Sequence, residues 1–233
     1  MICRRHTIAV PLLGLLIAGA GVSPPLASQP VSRPVAPAPE SVIRCANLTY
    51  GGRKSSVCFA DRFLRQAATD MGVRIEERLR RIRLDSDELF LYPFAVMTGE
   101  GSFALSAAEQ VRLRTYLERG GFVLASAGCT DPEWDRAFRA ALRGAFPHGD
   151  LRPLAMTHPV FHTIRDIDEL EAKKPAPAKL EGLDLDGRLV LVYSALGLND
   201  TANAGPGCCC CGGNEILNAH ALNANILAYA LTH

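Results

Sequence analysis

Residues 88–128, ELFLYPFAVMTGEGSFALSAAEQVRLRTYLERGGFVLASAG, decide the fold. Two nearly unbroken apolar runs, 88–99 and 122–128, have the composition of strands buried on both faces. The first run stops at Gly99-Glu100-Gly101. Ser106-Ala107-Ala108-Glu109 then has the form of a capping box, in which serine and glutamate each satisfy an orphan backbone donor at a helix start. The helix it opens runs through Arg119 with Val111, Leu113, Tyr116 and Leu117 as apolar positions, and Gly120-Gly121 closes it. Strand, helix, strand is the repeating unit of a sheet covered by helices.

The pattern continues in both directions. Residues 42–50 read as a first strand, 59–72 as a helix ending at Gly72, and 73–79 as a short strand. Beyond the second apolar run, Asp131-Pro132 supplies an N-cap and a first-turn proline for a helix with Trp134, Phe138 and Leu142 on one side. Residues 188–194, RLVLVYS, form a strong strand, and 214–233 a closing helix with Ile216, His220, Asn223 and Leu227 near one face. This alternation predicts an α/β fold with a doubly wound, mostly parallel sheet and helices on both faces, a three-layer sandwich.

The amino terminus reads as an export signal. MICRRHT is a short basic segment and IAVPLLGLLIAGAGV an uncharged apolar run, shorter than the roughly twenty residues a membrane-spanning helix needs. We read 1–27 as a signal peptide and 28–40 as a proline-rich linker too poor in large apolar side chains to pack. Residues 41–233 then form one domain. The expected location is periplasmic or extracellular, with no stable span after cleavage; anchoring by an uncleaved segment is the alternative. With 25 basic and 24 acidic residues the chain offers no general nucleic-acid surface. The local run RIEERLRRIR carries five arginines from 74 to 83 and reads as a solvated edge neutralised by Glu76, Glu77 and Asp85.

The segments RCANLTYGG, YPFAVMTGEGSFALSAAEQVRLRTYLERGGFVLAS, WDRAFR, LRPLAMTHPVFHTI, GRLVLVYS and NANILAYALTH, taken in this order and spacing, resemble the bacterial domain-of-unknown-function family 4159. The resemblance implies a fold like the class I glutamine amidotransferases in an exported or membrane-associated protein. A similar arrangement occurs in trehalose-utilisation-like proteins, whose His-Pro pair resembles His158-Pro159.

In open parallel sheets ligands bind beyond the carboxyl ends of the strands. Two loops there hold candidates. Gly99, Glu100 and Gly101 occupy the position where amidotransferase-like folds place a glycine loop for an oxyanion, although a tight strand-to-helix turn needs glycine equally. His158 is a further ligand-binding candidate. Cys129 follows a strand and precedes a helix, near the place where that superfamily carries its nucleophile; the partner pattern histidine-x-glutamate is absent, and His158 and His162 stand as bases only by elimination. Asp131, Glu133 and Asp135 crowd its thiol with negative charge, and the helix N-terminus acts the other way.

The quartet Cys208, Cys209, Cys210 and Cys211 is the third feature. Four adjacent cysteines do not close easily on one tetrahedral zinc, because structural sites use separated pairs. The readings are disulfides to Cys58 or Cys129, a soft-metal site for zinc or copper, or thiol redox chemistry. Cys45 is a further possible partner. Asn218, His220, Asn223 and Asn225 read as polar groups satisfied by helix packing. The expectation is a non-catalytic binding or assembly module acting through the carboxyl edge of the sheet on a protein or small molecule of the cell envelope. The alternatives are a Cys129-dependent hydrolase or amidotransferase, and a metal or redox protein acting through residues 208–211.

Overall fold

Strands β3 (Phe94–Gly99) and β4 (Phe122–Ala127) run parallel in an unbroken six-residue register, from Phe94 opposite Phe122 to Gly99 opposite Ala127. Every residue of both is buried. Such a pair stands only where apolar layers cover both faces. Phe94, Val96, Phe122 and Leu124 enter one core, and Ala95, Met97, Val123 and Ala125 enter the other. The computed structural model describes residues 41–52, 54–55, 58–205, 208 and 213–233. The chain divides into Met1–Ala38 and Pro39–His233, and every described residue belongs to the second unit. The signal-peptide and linker readings, and Cys209, Cys210 and Cys211, lie outside the described residues.

Around that pair stand β1 (Cys45–Thr49), β2 (Arg80–Arg83), β5 (Arg152–Pro153), β6 (Glu181–Leu185) and β7 (Arg188–Ser194). The seven-stranded order is β2-β1-β3-β4-β7-β6-β5, with β6 and β5 antiparallel at one edge and the rest parallel. Helices α1 (Arg62–Met71) and α4 (Ala219–Thr232) pack in the first core through Phe63, Leu64, Leu222 and Ile226. Helices α2 (Ala107–Glu118) and α3 (Pro132–Ala145) pack in the second through Leu113, Tyr116, Trp134 and Phe138. The architecture is therefore mixed α/β, with a mostly parallel sheet and helices on both faces.

Local chemistry sets the helix starts. Ser106 and Glu109 form the capping box in full, with Glu109 N donating to Ser106 Oγ at 3.2 Å and Ser106 N to Glu109 Oε2 at 2.8 Å. Glu109 also accepts from Gly51 N at 2.8 Å, tying the end of β1 to α2. Asp131 caps α3 by accepting from the backbone of Glu133 and Trp134. Asn225 bonds the backbone of Phe161 and Arg165, and Asn218 that of Glu169 and Glu171, as helix-packing polar groups should.

Several expectations shift. The strand read at 73–79 forms later, at Arg80–Arg83, and the earlier segment contributes only an isolated parallel bridge between Ile43 and Ile75. The run 88–99 is divided: Ser86 caps a short helical turn, Asp87–Leu91, and the strand begins after Pro93, whose ring holds the preceding residue extended. Val111 is 64 % exposed, so the buried stripe of α2 excludes it. The β6–β7 hairpin turns at Asp186-Gly187, both in the left-handed region at φ 51° and 81°. Helix α4 starts at Ala219, because residues 215 and 216 are extended and bridge to Gly197 and Ala172. The arginine run behaves as a solvated edge: Arg80 pairs with Glu76, Arg83 with Asp85, and Arg65 rather than the run itself takes Glu77.

Candidate functional site

The chain moves one way from β1 to β2 and the other way from β3 to β4, so the order reverses between β1 and β3. In open sheets that reversal leaves a crevice at the carboxyl ends. Here it is filled. Tyr50 donates to Thr98 O at 3.0 Å and receives the Trp134 indole N–H at 2.6 Å. Phe103 packs edge-on to Tyr50 at 4.8 Å and lies 5.6 Å from Trp134. Burial pushes the Tyr50 phenol up, against the opposing pull of the Trp134 bond, so the hydroxyl keeps its proton and remains a donor.

This plug explains Gly99. A Cβ there would lie 2.7 Å from the Tyr50 hydroxyl and 3.1 Å from Trp134 Nε1. The turn beyond it is tied inward as well, since Gly101 N donates to Asp131 Oδ2 at 3.1 Å and Lys54 Nζ to the Glu100 carbonyl at 2.9 Å. Burial works against charge on Asp131, but the N–H groups of Trp134, Gly101 and Glu133 and the Lys54 ammonium outweigh it and hold the carboxyl below its ordinary range. Glu100 is exposed beside them.

Cys129 lies next to this turn. Gly128 packs so tightly that a Cβ would stand 2.7 Å from Gly99 O and 3.3 Å from Glu100 Cγ. Cys129 and Thr130 both take positive φ, 51° and 59°. A β-branched residue in that region is strained and persists only where its surroundings hold it. Thr130 is held by its hydroxyl, which donates to Asn214 O, and Gly213 covers Cys129 closely enough that any side chain there would collide with the Cys129 carbonyl. Further along the same edge, Arg139 bridges Asp135 and Glu181 above the Tyr193 ring, and Tyr193 donates to Asp135.

The structure separates the other candidates from this edge. His158 caps a short turn, its Nδ1 accepting from Val160 N at 3.1 Å. Its ring lies 5.5 Å from Tyr229, which lies 6.3 Å from Phe122, the first residue of β4. His158 thus sits toward the amino end of the sheet, and burial pushes its imidazole below the ordinary value. His162 bonds Asp166 and the Met156 carbonyl. Cys45 is fully buried in β1, its thiol pushed up to about 12 by burial and then by Glu76. Cys58 and Cys208 stand at disulfide distance, with Cα atoms 5.2 Å apart across 150 residues of chain. One cysteine of the quartet, Cys208, therefore pairs with Cys58, a partner named from the sequence. Among the described residues no group of three or more His, Cys, Asp and Glu is placed to hold a metal, and no helix is long and apolar enough to cross a membrane.

One arrangement was not anticipated. His220 Nδ1 contacts the Asp200 carboxylate at 3.0 Å, and Asp200, at φ 52°, has a side chain only 5 % exposed. The two are twenty residues apart, on the loop after β7 and at the start of α4. The sequence profile described as Domain of unknown function (DUF4159) matches residues 44–231. The chain belongs to that family. Among curated proteins nothing matches it.

Proposed function

We propose that this DUF4159 member is an exported, non-catalytic binding or assembly module that engages its ligand through the rim of the carboxyl edge, with a fold of the class I glutamine amidotransferase type. One observation carries the reading: the backbone of the 99–101 turn is turned inward. An oxyanion hole needs N–H groups aimed at an empty position about 3 Å from a nucleophile. The Gly101 N–H instead meets the Asp131 carboxylate, and Gly99 is a glycine because Tyr50 and Trp134 fill the space above it. What the rim offers is a fixed set of exposed or half-exposed charges, Lys54, Glu100 and Asp131, on a rigid aromatic base. The disulfide between Cys58 and Cys208 supports an oxidising compartment.

A second reading is favoured by the left-handed backbone at Cys129. A cysteine held in strain between strand and helix is where a nucleophile would stand. Two assays separate the readings. Chromogenic amide and ester substrates should show no turnover that depends on Cys129, and a fragment screen read by backbone amide shifts should cluster around Lys54, Glu100 and Asp131. Turnover that vanishes in Cys129→Ala and survives in Glu100→Ala would replace binding with cysteine catalysis.

A further inference from the structure

A groove of about 840 Å³ lies against α1 and away from the 99–101 turn. Its walls carry Arg62, Arg65 and Arg78 with Asp61 and Glu77, and His220 lines it as well. The charges are not evenly matched. Arg65 pairs with Glu77 at 2.8 Å and Arg78 with Asp61 at 3.8 Å, whereas the contact recorded for Arg62 among the described residues is the neutral amide oxygen of Asn203, at 3.4 Å.

The geometry points to a binding site for an oxyanion, the phosphate or carboxylate group of a small ligand, between Arg62 and His220. A hydrogen-bonded chain fixes the two. Arg62 donates to Asn203 Oδ1, Asn203 Nδ2 donates to Asp200 Oδ1 at 2.9 Å, and the other Asp200 oxygen holds His220 Nδ1. With Nδ1 engaged by a buried carboxylate, the ring presents Nε2, and its side chain is 33 % exposed. Guanidinium and imidazole thus stand on either side of one loop, both oriented by the same buried acid. Oxyanions suit this pair because a guanidinium offers parallel N–H donors and the imidazole, in its imidazolium form, adds the Nε2–H as a charged one.

The walls are fastened where such a site needs them. Cys58 lies three residues before Asp61 and Cys208 three residues after Gly205, so their bond ties the two segments that bound the groove. Asp200 takes a left-handed conformation that costs energy for a residue other than glycine, and that conformation directs its carboxylate toward both Asn203 and His220.

The test is a titration of the intact, oxidised chain with inorganic phosphate and with pyrophosphate at low ionic strength, following His220 ring nitrogens and the Arg62 guanidinium by NMR. Saturable shifts confined to the groove are expected. Arg62→Gln and His220→Gln should each weaken binding by about tenfold or more, the loss of one charge-assisted hydrogen bond. Arg143→Gln, an exposed cation on α3 across the sheet, should leave it unchanged. Both groove variants change exposed or half-exposed side chains, and unchanged near-ultraviolet dichroism verifies their folding. An absence of saturable shifts, or equal losses in all three variants, overturns the proposal. Glu100→Ala should not alter the phosphate response, so failure at the 99–101 rim and failure in the groove are read separately.

Discussion

Two crevices of the molecule have been treated in opposite ways. The one at the reversal of strand order, between β1 and β3, is filled by Tyr50, Phe103 and Trp134 and closed by the Trp134–Tyr50 hydrogen bond and the bond from Tyr50 to the Thr98 carbonyl. The one beside α1 is open, polar and walled by arginines. Doubly wound sheets ordinarily place their ligands at the first. In this chain the aromatic plug turns that position into core, and polar groups able to meet a ligand collect on the rim and in the groove.

The comparison breaks most visibly at Trp134, which is fully buried and stacks on Phe138 at 5.0 Å. Trp134→Ala should lower stability by about 3–5 kcal/mol, the range for deleting a large buried aromatic. It also strips the Tyr50 hydroxyl of its donor. Chemical denaturation measures the loss, and Trp134→Phe, which keeps most of the volume, should recover over half of it. If Trp134→Ala is instead well tolerated and opens a pocket, the crevice is a gated ligand site and the plug is its lid.

The groove answers to a different residue. Cys58→Ser removes the tie across 150 residues and should cost about 2–4 kcal/mol, because the unfolded chain regains the freedom of a long loop. Unlike Trp134→Phe, it should also weaken phosphate binding, since the walls bearing Arg62 and Asn203 lose their fastening. Urea melts with and without reductant, set beside the phosphate titration, measure both effects. A Cys58→Ser chain that melts like the parent would assign the bond no structural role.

Legibility followed the range of the interactions. The cores of β3 and β4, the capped start of α2 and the start of α3 could be read directly, because buried runs, a capping box and an Asp-Pro start are signals held within a few residues. The edge hairpin was missed although Asp186-Gly187 marks its turn: the β6 segment, EGLDL, is too short and polar to show a strand pattern. Residues 214–218 continue the apolar spacing of α4, and bridges to Gly197 and Ala172 hold Glu215 and Ile216 extended instead. The site was less legible than the fold. The reason for Gly99 lies in Tyr50 and Trp134, which are 84 residues apart, and the Asp200–His220 pair forms only once α4 returns against the loop after β7. The sequence left several partners open for the quartet, and tertiary contact places Cys208 at disulfide distance from Cys58.

The smallest effect tests whether the rim is rigid. Asp131 joins the two loops of the carboxyl edge, one oxygen capping α3 and the other holding Gly101 N. Asp131→Ala should cost about 1 kcal/mol, the usual value of an N-cap. The sign of its pH dependence follows from the lowered carboxyl. A carboxyl held below its unfolded value contributes stability in full above that value, near 3.9, and loses it as pH falls through the lower folded value. The stability difference between parent and Asp131→Ala should therefore be constant at neutral pH and narrow below about pH 4. Melts across that range measure it. A difference that persists undiminished in acid would mean that Asp131 acts through shape alone, and the amide shifts at Gly101 would then stay where they are when the carboxylate is protonated.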